Sequence, residues 1–316
     1  MMVQAMPVKP SSVPTIILAL ASQCFGQSLQ PSGDPLEAAR AYANKGMLKE
    51  AEAEARNYLK AHNDSAQGHF LLGYILFREQ KARESLAEMT EGAKYQKPGA
   101  EDLRVVGVDY VLLADYGDAD KWFTKATQWD PENLLGWYYL GRTKYNENRF
   151  EEAVSAFEQC LKLAPRHVRA EDNLGLSLQG LGRMDEARQA FLNAIAWQAD
   201  SPQRDPWPYM DLGSFFLENN QPEQAIPHLE EAVKLVPNSP KAHQQLGKAY
   251  LASHQLDKAQ AELETAVKLE PENARAHYVL GQLYEKQGQT QKAKDELARY
   301  TQLSAKHPKN DSDIDR

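Results

Sequence analysis

The 316-residue chain predicts an all-α fold, a solenoid of antiparallel helix pairs, and three observations carry that expectation. A Leu-Gly or Val-Gly pair returns at Leu72-Gly73, Val106-Gly107, Leu140-Gly141, Leu174-Gly175, Leu212-Gly213, Leu246-Gly247 and Leu280-Gly281; five of the six intervals are 34 residues and one is 38. A small residue follows each glycine by twelve positions, at Ser85, Ala119, Ala153, Ala187, Ala225, Ala259 and Ala293. Residues that start and stop helices recur in the same frame. A fixed period of this length marks stacked supersecondary units, and it overrides the two or so globular domains that length alone would suggest.

The frame divides the chain into repeats 66–99, 100–133, 134–167, 168–201, 206–239, 240–273 and 274–307. A divergent copy at 32–65 precedes them, with Tyr42 and Ala51 in register and Ala38-Ala39 in place of Leu-Gly. Eight repeats then fill 32–307, between a leader at 1–26 with a short linker at 27–31 and a polar tail at 308–316. No room is left in that span for a separate catalytic domain.

Each repeat is expected to hold two short amphipathic helices, A and B. At the last repeat position stand Ser65, Asn133, Ser201, Ser239 and Asn273, whose side chains accept hydrogen bonds from the free N–H groups that open helix A. Pro240 suits a first helical turn. At mid-repeat, Gly46, Asn148, Gly182, Asn220 and Gly288 share one position, where a left-handed residue ends helix A and turns the chain into helix B. Pro131, Pro165, Pro237 and Pro271 close helix B. Glycine at position 8 and a small residue at position 20 are expected to bring A and B close together, with Leu140, Tyr145, Phe157 and Leu161 filling the space around them in one repeat. One helix pair cannot hide its own apolar face, so stability comes from stacking.

The repeat at 134–167 carries Trp137, Leu140, Gly141, Ala153, Phe157 and Pro165, and the one before it Tyr110, Ala119, Phe123, Ala126 and Pro131. At these offsets the chain resembles the tetratricopeptide repeat family. The resemblance implies a right-handed superhelix whose concave wall is lined by helix A, chiefly at positions 2, 5, 6, 9, 12 and 13. In this chain those positions hold Phe70, Tyr74, Arg78, Arg104, Tyr138, Tyr139, Arg142, Tyr145, Asn146, Arg169, Asn173, Trp207 and Met210 as candidate peptide-binding residues. They also hold Asp172, Ser214, Gln244, Lys248, Tyr278 and Gln282. Aromatic rings beside Arg and Asn suit an extended peptide: rings cover apolar side chains, Asn pairs with backbone amides and Arg meets carboxylates. The carboxylate clamp of the chaperone-tail binders is not supported. Asn173 fits its middle slot, but Tyr138 and Arg142 precede it, and Trp207 and Asp211 follow.

Four additional residues interrupt the frame at SPQRDPWPY, where Asp205-Pro206 offers a second cap and helix start. This segment reads either as a longer loop, which a solenoid tolerates at little cost, or as a device that projects Trp207 into the groove. The leader has Lys9, an apolar run from Val13 to Ala21 and small residues at Ala19 and Ala21. It is similar to a secretory signal peptide, with cleavage after Ala21 or Gly26, and its run is short for a membrane span. Export to a periplasmic or extracellular space is therefore expected, against the alternative of a cytosolic extension. Cys24 admits a lipid anchor, though Gln23 stands where a small residue is wanted. Cys160 takes a place held by alanine in sibling repeats, as a small core residue.

His69, His243 and His277 share position 4 with Trp137 and Tyr209, a packing position, so neither a metal site nor a cofactor is expected. There is no His-Glu-x-x-His, Cys-x-x-Cys, Gly-rich phosphate loop or Gly-x-Ser-x-Gly elbow. The acidic residues read as solvated helix surface, and a net charge of −8 without a basic block disfavours nucleic acid. The expectation is a non-catalytic scaffold or assembly adaptor that binds a protein or peptide, with no membrane span once the leader is removed. A self-assembling structural protein using end or convex surfaces is the alternative, and an enzyme-associated accessory subunit a third.

Overall fold

The computed structural model describes residues 36–306. The leader with Cys24, the linker and the polar tail lie outside them. The described residues form two compact units, one up to Pro165 and one from Arg166.

Unit 1 holds four helix pairs. They are α1 (Glu37–Asn44) with α2 (Leu48–Ala61), α3 (Ala66–Arg78) with α4 (Ala82–Tyr95), α5 (Ala100–Leu112) with α6 (Tyr116–Trp129), and α7 (Leu134–Asn146) with α8 (Phe150–Leu163). Unit 2 holds α9 (Val168–Gly180) with α10 (Met184–Trp197), α11 (Trp207–Glu218) with α12 (Pro222–Leu235), α13 (Pro240–Ala252) with α14 (Leu256–Leu269), and α15 (Ala274–Lys286) with α16 (Thr290–Lys306). Within each unit a helix A packs on its own helix B, and that B on the next A. The fold is the all-α solenoid of helix pairs that the period predicts.

The caps follow from residue chemistry. Ser65, Asn133, Ser239 and Asn273 accept from the backbone N–H three residues on, at 3.2, 2.8, 3.3 and 3.0 Å. Ser201 does not cap a helix. The four-residue insertion moves the start of α11 to Trp207, whose N–H is met by Asp205 Oδ1 at 3.2 Å, while the Ser201 hydroxyl turns to the Gln203 carbonyl. Ahead of α9 the His167 ring supplies the acceptor instead, taking the Ala170 N–H at 3.1 Å.

Every A-to-B turn has one residue in the left-handed region, with φ between 54° and 76°: Gly46, Gln80, Ala114, Asn148, Gly182, Asn220, His254 and Gly288. The connection demands this conformation even where no glycine or asparagine is present to adopt it cheaply.

The position-8 glycines have a more specific role than backbone approach. A Cβ added to Gly107, Gly141 or Gly175 would lie 2.6–2.7 Å from the ring of Phe123, Phe157 or Phe191, each a fully buried side chain of the following helix B. Leu229 and Leu263 occupy the same notch opposite Gly213 and Gly247. The glycine thus makes room for a side chain, and the small residue at position 20 is buried beside it. At the start of unit 1, Leu36, Ala39, Ala43, Ala51 and Ala55 join Leu71, Leu72, Ile75 and Leu76 in one core cluster. Cys160 is fully buried, and burial pushes its thiol up to about 12, beyond ready ionisation. Among the described residues no helix is long and apolar enough to cross a membrane.

Candidate functional site

In unit 1 the candidate residues come from α3, α5 and α7. Three arginines on these helices lie over three tyrosines, with guanidinium-to-ring distances of 5.9 Å in each case: Arg78 on Tyr74, Arg104 on Tyr139 and Arg142 on Tyr138. The tyrosines are held from beneath. Tyr139 stacks on Phe123 at 5.7 Å between ring centroids, meets Tyr138 edge-on at 5.4 Å, and Tyr138 reaches Phe157 at 6.2 Å. The rings that fill the glycine notches therefore also support the platform on which the arginines rest.

Burial separates the candidates. Arg104, Tyr138 and Tyr139 are buried, at 3%, 4% and 5% exposure, so they are not offered to solvent as the repeat positions alone suggest. Phe70, Tyr74, Arg78, Arg142, Tyr145 and Asn146 are half-buried, with part of each surface open. Arg78 also donates to the Ala43 carbonyl at 2.6 Å, which ties α3 to α1. Arg104 donates to Glu101 through Nε at 2.8 Å and through Nη2, and its Nη1 has no partner. The Asn146 Oδ1 is also buried without one.

Behind this face the sequence reading missed a buried carboxyl. Asp109 on α5 is fully buried, neither of its oxygens has a hydrogen-bond partner, and burial pushes it up to about 7 against the Ser85 hydroxyl and Arg104. Its signal was present: position 10 of the repeat at 100–133 carries Asp where the repeat at 134–167 has Thr143, also buried.

In unit 2, Arg169 pairs with Asp205 at 2.6 Å, and Asn173 donates to the Arg169 carbonyl at 2.7 Å. The insertion is stitched down rather than slack. Gln198, itself buried, donates to the Asp205 carbonyl at 3.0 Å and accepts from its N–H at 2.5 Å, and Arg204 pairs with Glu231 at 2.8 Å. Trp207 does not stand free: it packs against the cluster of Tyr209, Met210, Ala232 and Ala242, and the Lys241 ammonium sits 4.7 Å from its ring centre. Met210 is buried at 2% exposure within that cluster.

Three acidic residues of unit 2 depart from the expectation of solvated surface: Glu171, buried on α9 and taking a hydrogen bond from Asn193 at 2.7 Å, and the pair Asp172 and Asp211. Asp172 on α9 and Asp211 on α11 lie near each other, and the Asp172 Oδ1 is buried without a hydrogen-bond partner. Burial, with Asp211 and Asp205 close by, pushes Asp172 well above the carboxylate range, and burial pushes Asp211 up to about 6 against the field of Lys241. Two carboxyls that share one buried site disfavour ionisation of both together. A repeat frame specifies neither, because these positions are read one repeat at a time while the pair spans two.

The tetratricopeptide repeat profile matches residues 138–204, 245–308 and 216–268. The peroxisomal targeting signal receptor of Kluyveromyces lactis is 35% identical over 91 residues, 29% of this chain and 16% of its own length. The PEX5-related protein of Homo sapiens is 35% identical over 154 residues, 47% of this chain and 22% of its own length. The chain thus spans less than a quarter of either relative. Among solved structures, a tetratricopeptide repeat protein from Parabacteroides merdae superposes with a TM-score of 0.64 at 18% identity, covering 80% of this chain and 98% of that one. PilW, a type IV pilus biogenesis factor, gives 0.58 at 22% identity over 67% and 94%. These structures share the fold.

Proposed function

The chain belongs to the tetratricopeptide repeat family, and from that premise we propose that it is a non-catalytic scaffold or adaptor that binds an extended peptide or protein segment through its A helices. The observation that carries this reading is on α7, where the half-buried Arg142 lies over the ring of Tyr138 beside the half-buried Tyr145 and Asn146. A guanidinium held on an aromatic face keeps its in-plane N–H donors for a carboxylate or carbonyl. Arg142, Tyr145 and Asn146 lie within one α7 segment, partly open, and combine a charge, a ring and an amide. The names of the receptor relatives, which record a targeting signal as ligand, support a peptide as the partner class. Lys9 and the apolar run from Val13 to Ala21 support action in an exported compartment.

The test is capture from an extract of the source organism by the full chain, beside the variant Arg142→Glu, Tyr145→Ala, Asn146→Ala. These half-buried side chains lie outside the packed core, so the variant is expected to keep its helix content by circular dichroism. One partner captured by the unaltered chain and lost by the folded variant supports the reading. Equal capture by both places the interface elsewhere and removes this face from it.

A further inference from the structure

Three repeats contain the same arrangement at a place that the binding reading does not use. His69 Nδ1 meets Glu88 at 2.7 Å and its Nε2 meets the Asn63 carbonyl at 3.0 Å. His243 meets Glu262 at 2.6 Å and the Pro237 carbonyl at 2.9 Å; His277 meets Glu296 at 2.5 Å and the Pro271 carbonyl at 3.0 Å. In each case the histidine is position 4 of helix A, the glutamate position 23 of helix B, and the carbonyl belongs to the turn that precedes the repeat. The rings are buried, at 6–8% exposure.

Elementary hydrogen-bond chemistry decides what these rings must carry. A backbone carbonyl accepts only, and so does an ionised carboxylate. A neutral imidazole has one N–H and one lone pair, so it satisfies one of the two and turns its lone pair on the other. Only the doubly protonated ring donates to both.

The sequence adds an independent observation. Every repeat with His at position 4 has Glu at position 23, whereas Leu103, Trp137, Glu171 and Tyr209 are matched there by Trp122, Ala156, Ala190 and His228. The divergent first repeat, with Pro35, has Glu54 without a histidine. Trp137 shows the neutral version of the device: its Nε1 donates to the Pro131 carbonyl at 2.8 Å, the same carbonyl position, and it needs no carboxylate.

We propose that His69, His243 and His277 are imidazolium clamps, each locking the start of helix A to its helix B and to the preceding turn, and that at His69 loss of the ring's second proton as pH rises loosens the seam. For His69 the direction agrees. Burial opposes the charged ring, but the Asn63 carbonyl and the Glu88 and Glu91 carboxylates raise its value above that of a free histidine. A folded value above the unfolded one means that the clamp's contribution is full below the unfolded value and is lost as pH rises through the folded one. The other titratable and charged groups around the clamps include Arg56 of the preceding helix B near Glu88, Tyr95, which stacks on His69 at 6.2 Å, Tyr250 near Glu262, and Tyr284 near Glu296.

The experiment is nitrogen-15 NMR of the full chain at about pH 6 and about pH 8, with ring signals assigned by single His→Gln variants and amide exchange measured in parallel. Both ring nitrogens of all three clamps are expected to carry hydrogen at the lower pH. Amide protection in the first turn of α3 is expected to fall by about tenfold at the higher one, while the start of α7, held by Trp137, stays unchanged. In the variant Glu88→Gln, Glu262→Gln, Glu296→Gln, the His69 ring is expected to lose its second hydrogen at lower pH. A singly protonated clamp ring at about pH 6, or an equal loss of protection in α7, overturns the proposal. If the triple variant does not fold, the ring signals of the unaltered chain still decide it.

Discussion

At position 11 of the repeat, unit 1 carries Lys144, and unit 2 carries Tyr250 and Tyr284. All three reach back to a carboxylate on the preceding helix B: Lys144 to Asp120 at 2.7 Å, Tyr250 to Glu230 at 2.6 Å and Tyr284 to Glu264 at 2.7 Å. In unit 1 the tie is ionic and branched, because Asp120 also takes Arg149 at 2.7 Å and Glu152 takes both cations. In unit 2 the donor is a neutral hydroxyl, seconded by amide contacts such as Gln287 to Gln260 at 3.0 Å. One register position thus sets the direction of an inter-repeat link, while residue type sets its dependence on salt and pH. Buried acid occurs in both units: Asp109 of unit 1 stands without a hydrogen-bond partner for either oxygen, and Asp172 of unit 2, near Asp211, leaves its Oδ1 without one.

Asp109 gives the largest expected effect. Its folded value of about 7 lies above the unfolded value near 3.9. The folded chain therefore holds that proton longer, and stability falls as pH rises between the two values. Asp109→Asn removes the cost of ionising the group and is expected to stabilise the chain at about pH 8 by about 2–4 kcal/mol. The gain should vanish at about pH 4, and urea melts at both pH values check it. A constant gain at both would assign the cost to packing rather than to the proton.

Smaller effects test the position-11 contrast directly. Lys144→Met leaves Asp120 with Arg149 alone and is expected to cost about 2 kcal/mol, with the difference from the unaltered chain narrowing in high salt. Tyr250→Phe removes one hydroxyl donor and should cost about 1 kcal/mol, unchanged by salt. Parallel salt responses in the two melts would erase the distinction between the ionic and the hydroxyl tie. The smallest effects belong to the turns. Ala114, at φ 59°, is strained where Gly182, at φ 75°, is not. Ala114→Gly should therefore stabilise unit 1 by about 0.5–1 kcal/mol, and Gly182→Ala should destabilise unit 2 by about 1 kcal/mol. Chemical unfolding midpoints of the two variants, shifted in opposite directions, are the check.

Much of the helix architecture was legible because it depends on single positions. A cap is recognisable from Asn133 or Ser239 alone and a left-handed turn from Gly46 or Asn148, since each residue type carries its own conformational preference, whereas Gly141 reads as a close backbone approach and only packing shows it as the notch for Phe157. Ser201 shows where this stops: it is a sound cap residue, but the insertion places the helix start at Trp207. The candidate site was legible only as a set of positions. That Tyr138 and Tyr139 lie beneath arginines instead of facing solvent, and that Lys241 rests on Trp207, depend on how neighbouring helices fill the space between them.

The sequence by itself determined the repeat, its helix pairs and the residues available on each A helix, because the 34-residue period imposes the same local chemistry each time it returns. Tertiary structure alone decided which of those residues are buried, that Asp172 lies near Asp211, and that three histidines each stand between a carboxylate and a carbonyl. Those outcomes depend on the distance and dielectric between groups far apart in the chain, and packing sets both.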